Sequence, residues 1–232
     1  MSDPLRIALV GATGLVGRAI VHAATGREDM RLVAIARREM KLPAGARMEM
    51  FVAEPDRWDE VIEAVKPDVL INALGTTWNK SGKDEAAFRA VDQELVLDVA
   101  RAAHKAGVKR FISISSVGAS LAARNFYLQV KGEVERDLAK VGFKRLDILR
   151  PGLLRGSREN DVRAAEGLGR IAAPLLNLAL HGKFRQYRAI RAETVADAAL
   201  SLAMRKAGGK FAHDNDAILR AAQTLTRPEL AP

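Results

Sequence analysis

The stretch Leu5-Arg-Ile-Ala-Leu-Val-Gly11-Ala-Thr-Gly14-Leu-Val-Gly17-Arg-Ala-Ile20 decides the fold. Its opening run, 5–10, is almost continuously apolar and too short for a stable helix, so it reads as a strand buried on both faces. Glycines then recur at every third position from Gly11 to Gly17, and helical periodicity begins. A glycine-rich turn between a strand and a helix N-terminus aims backbone N–H groups and the positive end of the helix dipole at one place, which suits a pyrophosphate. Gly11 permits the tight turn, Gly14 lets a diphosphate approach the backbone, and Gly17 lets the helix pack on the strand. The segment implies dinucleotide binding through Gly11, Thr13, Gly14, Leu15, Val16 and Gly17.

The same alternation runs on to residue 150. Short apolar runs at 32–36, 48–52, 69–73, 111–115 and 146–149 read as further strands. Residues 15–24, 57–65, 84–106 and 126–141 carry apolar side chains at helical spacing. Strand–helix–strand repetition of this kind calls for right-handed crossovers into a parallel sheet. The class is α/β, a Rossmann-type doubly wound parallel sheet. After Arg150 the pattern loosens into a helix at 161–182, a short strand at 188–190, a helix at 193–205, a strand near 210–212 and a helix at 216–222. No repeat or linker interrupts the chain. It reads as a single NAD(P)-binding domain over 1–232, with a cofactor-binding core at 1–152, a small C-terminal substrate-side elaboration at 153–222 and a frayed tail at 223–232.

Composition excludes several chemistries. The 232 residues contain no cysteine, which removes disulfides, thiolate metal sites and cysteine nucleophiles together. The start of the chain is too short and too acidic for a signal peptide, and no stretch approaches the ~20 apolar residues that span a bilayer. These features predict a cytoplasmic protein without a membrane partner. The formal charge of +9 is unevenly placed: residues 1–116 carry a net +1 and residues 117–232 a net +8, with +7 of it inside 144–191. No recognition motif for nucleic acid accompanies that basic segment, so it points to an acidic small-molecule substrate.

The second strand ends in Ala36-Arg37-Arg38, where an NAD enzyme usually places an acid for the ribose 2′-hydroxyl. Planar guanidinium groups instead suit a 2′-phosphate, so Arg37 and Arg38 favour NADP(H) over NAD(H). The spacing G-x-x-G-x-x-G resembles the extended and atypical short-chain dehydrogenase/reductase superfamily. In that superfamily a turn like Asn72-Ala73-Leu74-Gly75 passes over the cofactor, which assigns Ala73, Leu74 and Gly75 to it. After the third strand, where many relatives place an Asp at the adenine, this chain has Ala53-Glu54-Pro55, and Glu54 is left unassigned.

Tyr127-Leu-Gln-Val-Lys131 is a Y-x-x-x-K pair at the start of a helix, so the phenol and the ammonium share one helix face. Ordinary tyrosine ionises near pH 10, and a neighbouring ammonium favours the phenolate. Ser116, at the end of the fifth strand, would hydrogen-bond a substrate carbonyl; Ser115 is the neighbouring candidate. Together Ser116, Tyr127 and Lys131 form the candidate catalytic set for moving a proton beside a nicotinamide, with Lys131 also reaching the cofactor ribose.

Leu74-Gly-Thr-Thr77, Val91-Asp92, the pair Ser115-Ser116, Phe126-Tyr-Leu-Gln-Val-Lys-Gly-Glu-Val-Glu135 and Arg150-Pro-Gly152 resemble the Tat-interacting-protein oxidoreductase branch of the atypical group. The likeness spans most of residues 5–160. It implies a Rossmann fold, NADPH binding, and a role that is either enzymatic or regulatory with a protein partner. It also places Pro151 and Gly152 beside the nicotinamide. Most relatives carry an asparagine where this chain has Asp92. A nucleotide-sugar epimerase or reductase is a variant of the class, for which the C-terminal portion is short.

Other sites are not legible. His22, His104, His181 and His213 show no ligand spacing and read as surface residues. No G-x-S-x-G elbow is present. The cluster Glu133, Glu135, Asp137 faces several directions on its helix and reads as solvated, and Trp58 and Trp78 are too isolated to stack bases.

Overall fold

A computed structural model describes residues 3–76, 81–156 and 182–226. In chain order the elements are β1 (Leu5–Val10), α1 (Leu15–Ala24), β2 (Met30–Ala36), β3 (Glu49–Val52), a 3-10 turn (Pro55–Arg57), α2 (Trp58–Val65), β4 (Val69–Asn72), α3 (Glu85–Arg89), a π-helical turn (Ala90–Glu94), α4 (Leu95–Lys105), β5 (Arg110–Ile114), α5 (Phe126–Val141), β6 (Arg145–Leu149), β7 (Leu154–Arg155), a 3-10 segment (Gly182–Tyr187), β8 (Ile190–Arg191), α6 (Ala192–Ala203), β9 (Gly209–His213) and α7 (Asn215–Gln223).

Successive strand side chains point to opposite faces, and the sheet uses both faces. In β1, Ile7 and Leu9 face a cluster with Ile20 and Val21 of α1 and Val195 and Leu202 of α6, whereas Ala8 and Val10 face Ile62 of α2, Val96 of α4 and Leu138 of α5. Both clusters are buried, which is why the strand sequence is apolar throughout. Each fully buried Val, Leu or Ile side chain among them contributes about 1.5–3 kcal/mol.

Every neighbouring pair in the sheet is parallel, and the strand order is β3-β2-β1-β4-β5-β6-β9. The chain therefore runs outward from β1 through β2 and β3, then returns to build β4 and β5 on the other side. That reversal leaves a crevice beyond the carboxyl ends of β1 and β4, where doubly wound sheets bind their ligands.

Two departures from the sequence reading bear on the site. The helix read over 84–106 is interrupted by the π-helical turn, which brings Asp92 fully into the interior. Within 153–222, β9 extends the main sheet beside β6, and α6 and α7 supply buried residues to the face of α1; only the two-stranded pair β7–β8 stands outside that sheet. The end of the chain is also tied down as far as it is described: Ser201 and Thr224 hydroxyls meet at 2.6 Å, and Leu225 packs on the core. The helix read over 161–182 lies outside the described residues except at its last position, Gly182, which begins the 3-10 segment, and residues 227–232 lie outside them too. Among the described residues no helix is long and apolar enough to cross a membrane.

Candidate active site

The glycine turn is built by close backbone approach. Gly11 has φ +82°, in the left-handed region, and a Cβ there would overlap the Ala73 carbonyl and lie 2.6 Å from the Leu74 nitrogen. The loops after β1 and β4 thus cross in contact. A Cβ on Gly17 would overlap the Gly11 carbonyl oxygen and lie 2.8 Å from Ala12 Cα, so α1 is seated directly on the turn. Gly14, the N-cap of α1, is exposed, offers no capping side chain, and is followed by a first turn without acidic residues. The free N–H groups and positive dipole end are consequently open to an anion, as a diphosphate requires. Thr13 is held here by its carbonyl, which accepts from Arg18 Nε at 3.2 Å. Leu15 is half-buried and Val16 buried beneath the turn.

Arg37 and Arg38 follow β2 and are both exposed. Among the described residues neither guanidinium is engaged by a carboxylate. Across the crevice, Asn72 is buried, donates to Ser113 Oγ at 3.2 Å and accepts from the Leu74 N–H at 3.3 Å. These bonds shape Ala73, Leu74 and Gly75. The next residue, Thr76, donates its N–H to Asp92 Oδ2 at 2.7 Å.

Two of the catalytic candidates, Tyr127 and Lys131, lie in the first two turns of α5. Asn125 caps it by accepting from the Leu128 N–H at 3.2 Å, and Gly142, with φ +102°, ends it. Tyr127 is half-buried and meets Phe88 of α3 edge-on, ring centroids 5.6 Å apart. One turn on, Lys131 is buried, with Nζ 5.9 Å from the Tyr127 ring centroid and 2.8 Å from Asp92 Oδ1. That contact is ionic: Oδ1 makes no aligned hydrogen bond. Burial pushes the Lys131 ammonium down, but the Asp92 charge, with Tyr127 and Glu135, outweighs burial and raises it.

The two serines differ. Ser115 is buried and its hydroxyl donates to Glu135 Oε1 at 2.5 Å. Ser116 is half-buried, and among the described residues its hydroxyl reaches only the Val117 carbonyl, at 3.3 Å. The Ser116 loop is fastened on two sides, since Val117 N–H donates to the Pro151 carbonyl at 3.0 Å and Ser120 N–H to the Leu128 carbonyl at 3.1 Å. Ser116, Pro151 and α5 are therefore held as one unit.

Several residues read as solvated are not. Glu135 is buried, accepting from Ser115 and from Arg150, whose Nε lies 3.1 Å from both carboxylate oxygens. The Arg150 guanidinium is raised by that hydrogen bond, against burial and with the Glu135 charge. His213 is largely buried, with Nε2 2.8 Å from Asp147 Oδ1. Asp147 also takes two bonds from the buried Arg145, at 2.6 and 2.8 Å. Two of the cations counted in 144–191 are thus consumed by internal pairs. A further residue, Asn215, had no signal in the sequence: buried, it accepts from the Gly152 N–H at 2.9 Å and donates to the Arg188 carbonyl at 2.7 Å, tying the Pro151 loop to the segment before β8. Among the described residues no His, Asp and Glu cluster suits a metal ion.

A family model for NAD(P)H-binding proteins matches residues 11–204, and the chain belongs to that family. Its curated relatives include Protein FMP52, mitochondrial, of Eremothecium gossypii, 38% identical over 179 residues that cover 76% of this chain and 78% of the relative. The Candida albicans protein of the same name is 32% identical over 210 residues, 88% of this chain and 90% of the relative. Among solved structures, the Bordetella bronchiseptica enzyme WbmG in complex with NAD has a TM-score of 0.66 at 16% identity, covering 100% of this chain and 82% of that one. UDP-glucose 4-epimerase from Thermotoga maritima, with UDP-glucose, has a TM-score of 0.66 at 16% identity, covering 94% and 82%. These two likenesses show a shared Rossmann-type fold. The family match, with the NAD held in the first of these structures, supports a nicotinamide cofactor. The expectation of a cytoplasmic protein is corrected: these relatives are named as mitochondrial proteins, which overturns it.

Proposed function

We propose that the chain is an NADP(H)-dependent oxidoreductase of the atypical short-chain type, of the Tat-interacting-protein branch, acting on the carbonyl or alcohol of a small molecule. The observation that carries this reading is the seating of Tyr127 and Lys131 on one face of α5, beside the loop that presents Ser116 and under the turn that ends in Thr76. A bound NADPH supplies hydride from its nicotinamide C4. The open N-terminus of α1 at Gly14 would hold its diphosphate, and Arg37 and Arg38 its 2′-phosphate. Ala73, Leu74, Gly75 and Pro151 would line the path of the cofactor. Ser116 Oγ would hold the substrate oxygen, Tyr127 Oη would exchange the proton with it, and Lys131 would reach the ribose and Tyr127 from below.

The test is Tyr127→Phe, assayed for NADPH binding by fluorescence and for NADPH oxidation with a panel of aldehydes and ketones. Binding is expected to persist while turnover falls by about 10²–10⁴-fold, the usual contribution of a positioned acid or base. Equal turnover in wild type and variant removes Tyr127 from the mechanism. A wild-type protein that binds NADPH and reduces no member of the panel replaces the enzyme reading with that of a cofactor-sensing protein.

A further inference from the structure

The proposed mechanism leaves one buried charge unused. Asp92 has no solvent exposure, and a π-helical turn, a feature that recurs at functional sites, holds it there. One carboxylate oxygen accepts from Thr76 N–H at 2.7 Å, at the end of the turn proposed to pass over the cofactor, and the other lies 2.8 Å from Lys131 Nζ. Side-chain exposures of 7% for Lys131 and 0% for Asp92 seal this pair from water. A lone ammonium 5.9 Å from the Tyr127 ring would favour the phenolate, whereas an ammonium whose counter-charge sits beside it acts as a short dipole with a weaker field.

We propose that Asp92 is a positioning residue that cancels the charge of Lys131 at the catalytic tyrosine, so that Tyr127 keeps its proton and the site donates to a carbonyl oxygen in preference to accepting from an alcohol. The direction assigned rests on the oxidoreductase reading; the charge balance does not. Other charges around the tyrosine are answered locally. On α5, Glu135 is neutralised by Arg150 from the end of β6, and Glu133 by Arg89 of α3. The α3 side chain against the ring is Phe88, and the β5 loop presents the uncharged Ser116. Among the described residues, Asp92 and Lys131 are left as the charged pair that faces Tyr127. In the donating direction the carbonyl carbon takes the hydride that a bound NADPH would supply, the C=O π pair moves to oxygen, the Tyr127 O–H bond breaks as a new O–H forms on that oxygen, and solvent returns a proton to the phenolate.

The chain has two tyrosines, Tyr127 and Tyr187, so Tyr187→Phe leaves a single phenol whose tyrosinate absorbance can be followed against pH without any substrate. In Y187F/D92N the band is expected to rise at lower pH than in Y187F, by roughly one pH unit. In Y187F/K131Q, where the carboxylate is left alone, it is expected to rise at higher pH. An unmoved or upward band in the Asp92→Asn protein overturns the proposal. If that variant does not fold, the Lys131→Gln protein decides: a band that does not move upward overturns it as well. Because the titration needs no turnover, its failure is separable from failure of the carbonyl panel.

Discussion

Ser115 Oγ donates to Glu135 Oε1 at 2.5 Å, while among the described residues the hydroxyl of the next residue, Ser116, meets only a main-chain carbonyl, at 3.3 Å. One serine is spent on the interior, and its neighbour is the one proposed to hold a ligand. Ser116→Ala is expected to keep the melting temperature and to lose about 10²-fold in kcat/KM, the scale for removing one hydrogen-bond donor from a reacting oxygen. Ser115→Ala should do the opposite, destabilising the fold by about 1 kcal/mol while sparing cofactor binding. Paired thermal melts and carbonyl assays separate the two.

The glycines of the turn differ in a measurable way. A Cβ at Gly17 collides with backbone, whereas at Gly14 it meets nothing nearer than the Gly11 carbonyl oxygen at 3.3 Å. Gly14→Ala should therefore stay folded and weaken NADPH binding by roughly 10-fold or more through the diphosphate, at about 1.4 kcal/mol per tenfold. Gly17→Ala should lower the melting temperature as well. A Gly14→Ala protein with unchanged affinity would place the diphosphate elsewhere.

Arg37 and Arg38 carry the cofactor preference. Replacing both with alanine is expected to weaken NADPH by about 10–100-fold, since a charge-assisted hydrogen bond contributes about 1.5–3 kcal/mol. NADH, which lacks the 2′-phosphate, should be nearly unaffected. Titration calorimetry with the two cofactors reads the ratio directly, and equal losses would mean that the arginines act on something both cofactors share.

Glu133 ties α5 to α3 and to the π-helical turn. Its carboxyl is held below the usual range chiefly by the Arg89 hydrogen bond, against burial, with help from Gln93 and the charges of Arg89 and Arg136. The folded state thus releases this proton more readily than the unfolded chain. The stabilisation is present above the unfolded value, about 4.3 for glutamate, and is lost as pH falls through the lower folded value. Denaturant midpoints should drop below about pH 4.5, and Glu133→Gln should flatten that drop; an identical acid profile in the variant would show that the ion pair contributes nothing.

Asp147 receives Arg145 and His213 at the β6–β9 junction, and Arg145 also stacks over Phe211 with its guanidinium 4.4 Å from the ring centroid. Asp147→Asn leaves Arg145 buried without its counter-charge. A loss of about 3–5 kcal/mol is expected from equilibrium unfolding, the scale for breaking a buried pair on one side. A loss under about 1 kcal/mol would mean that water reaches this junction.

Where local chemistry suffices, the sequence and the structure coincide. The ranges 5–10, 15–24 and 126–141 are those of β1, α1 and α5, because apolar runs, glycine turns and the Asn125 and Gly142 caps act on their own neighbours in the chain. The glycine turn and the shared face of Tyr127 and Lys131 were legible for the same reason. The π-helical turn was not, since one widened turn barely disturbs the apolar period of 84–106. β9 was legible only as a short strand: most of it is exposed and it carries Lys210, so nothing in it announces membership of the main sheet.

The basic segment 144–191 and the acidic cluster on α5 mark the boundary between the two kinds of information. Residue types and spacing were enough for a dinucleotide-binding doubly wound sheet with a tyrosine–lysine helix. Which charges are available to a ligand was not in the sequence. Arg145, Arg150, Glu135 and Asp92 are each neutralised by a partner, and apart from Arg145–Asp147 these are partners from other elements, brought near by sheet order and helix packing. Such pairs form because a buried charge left alone is costly, and that cost exists only once the chain has folded around it.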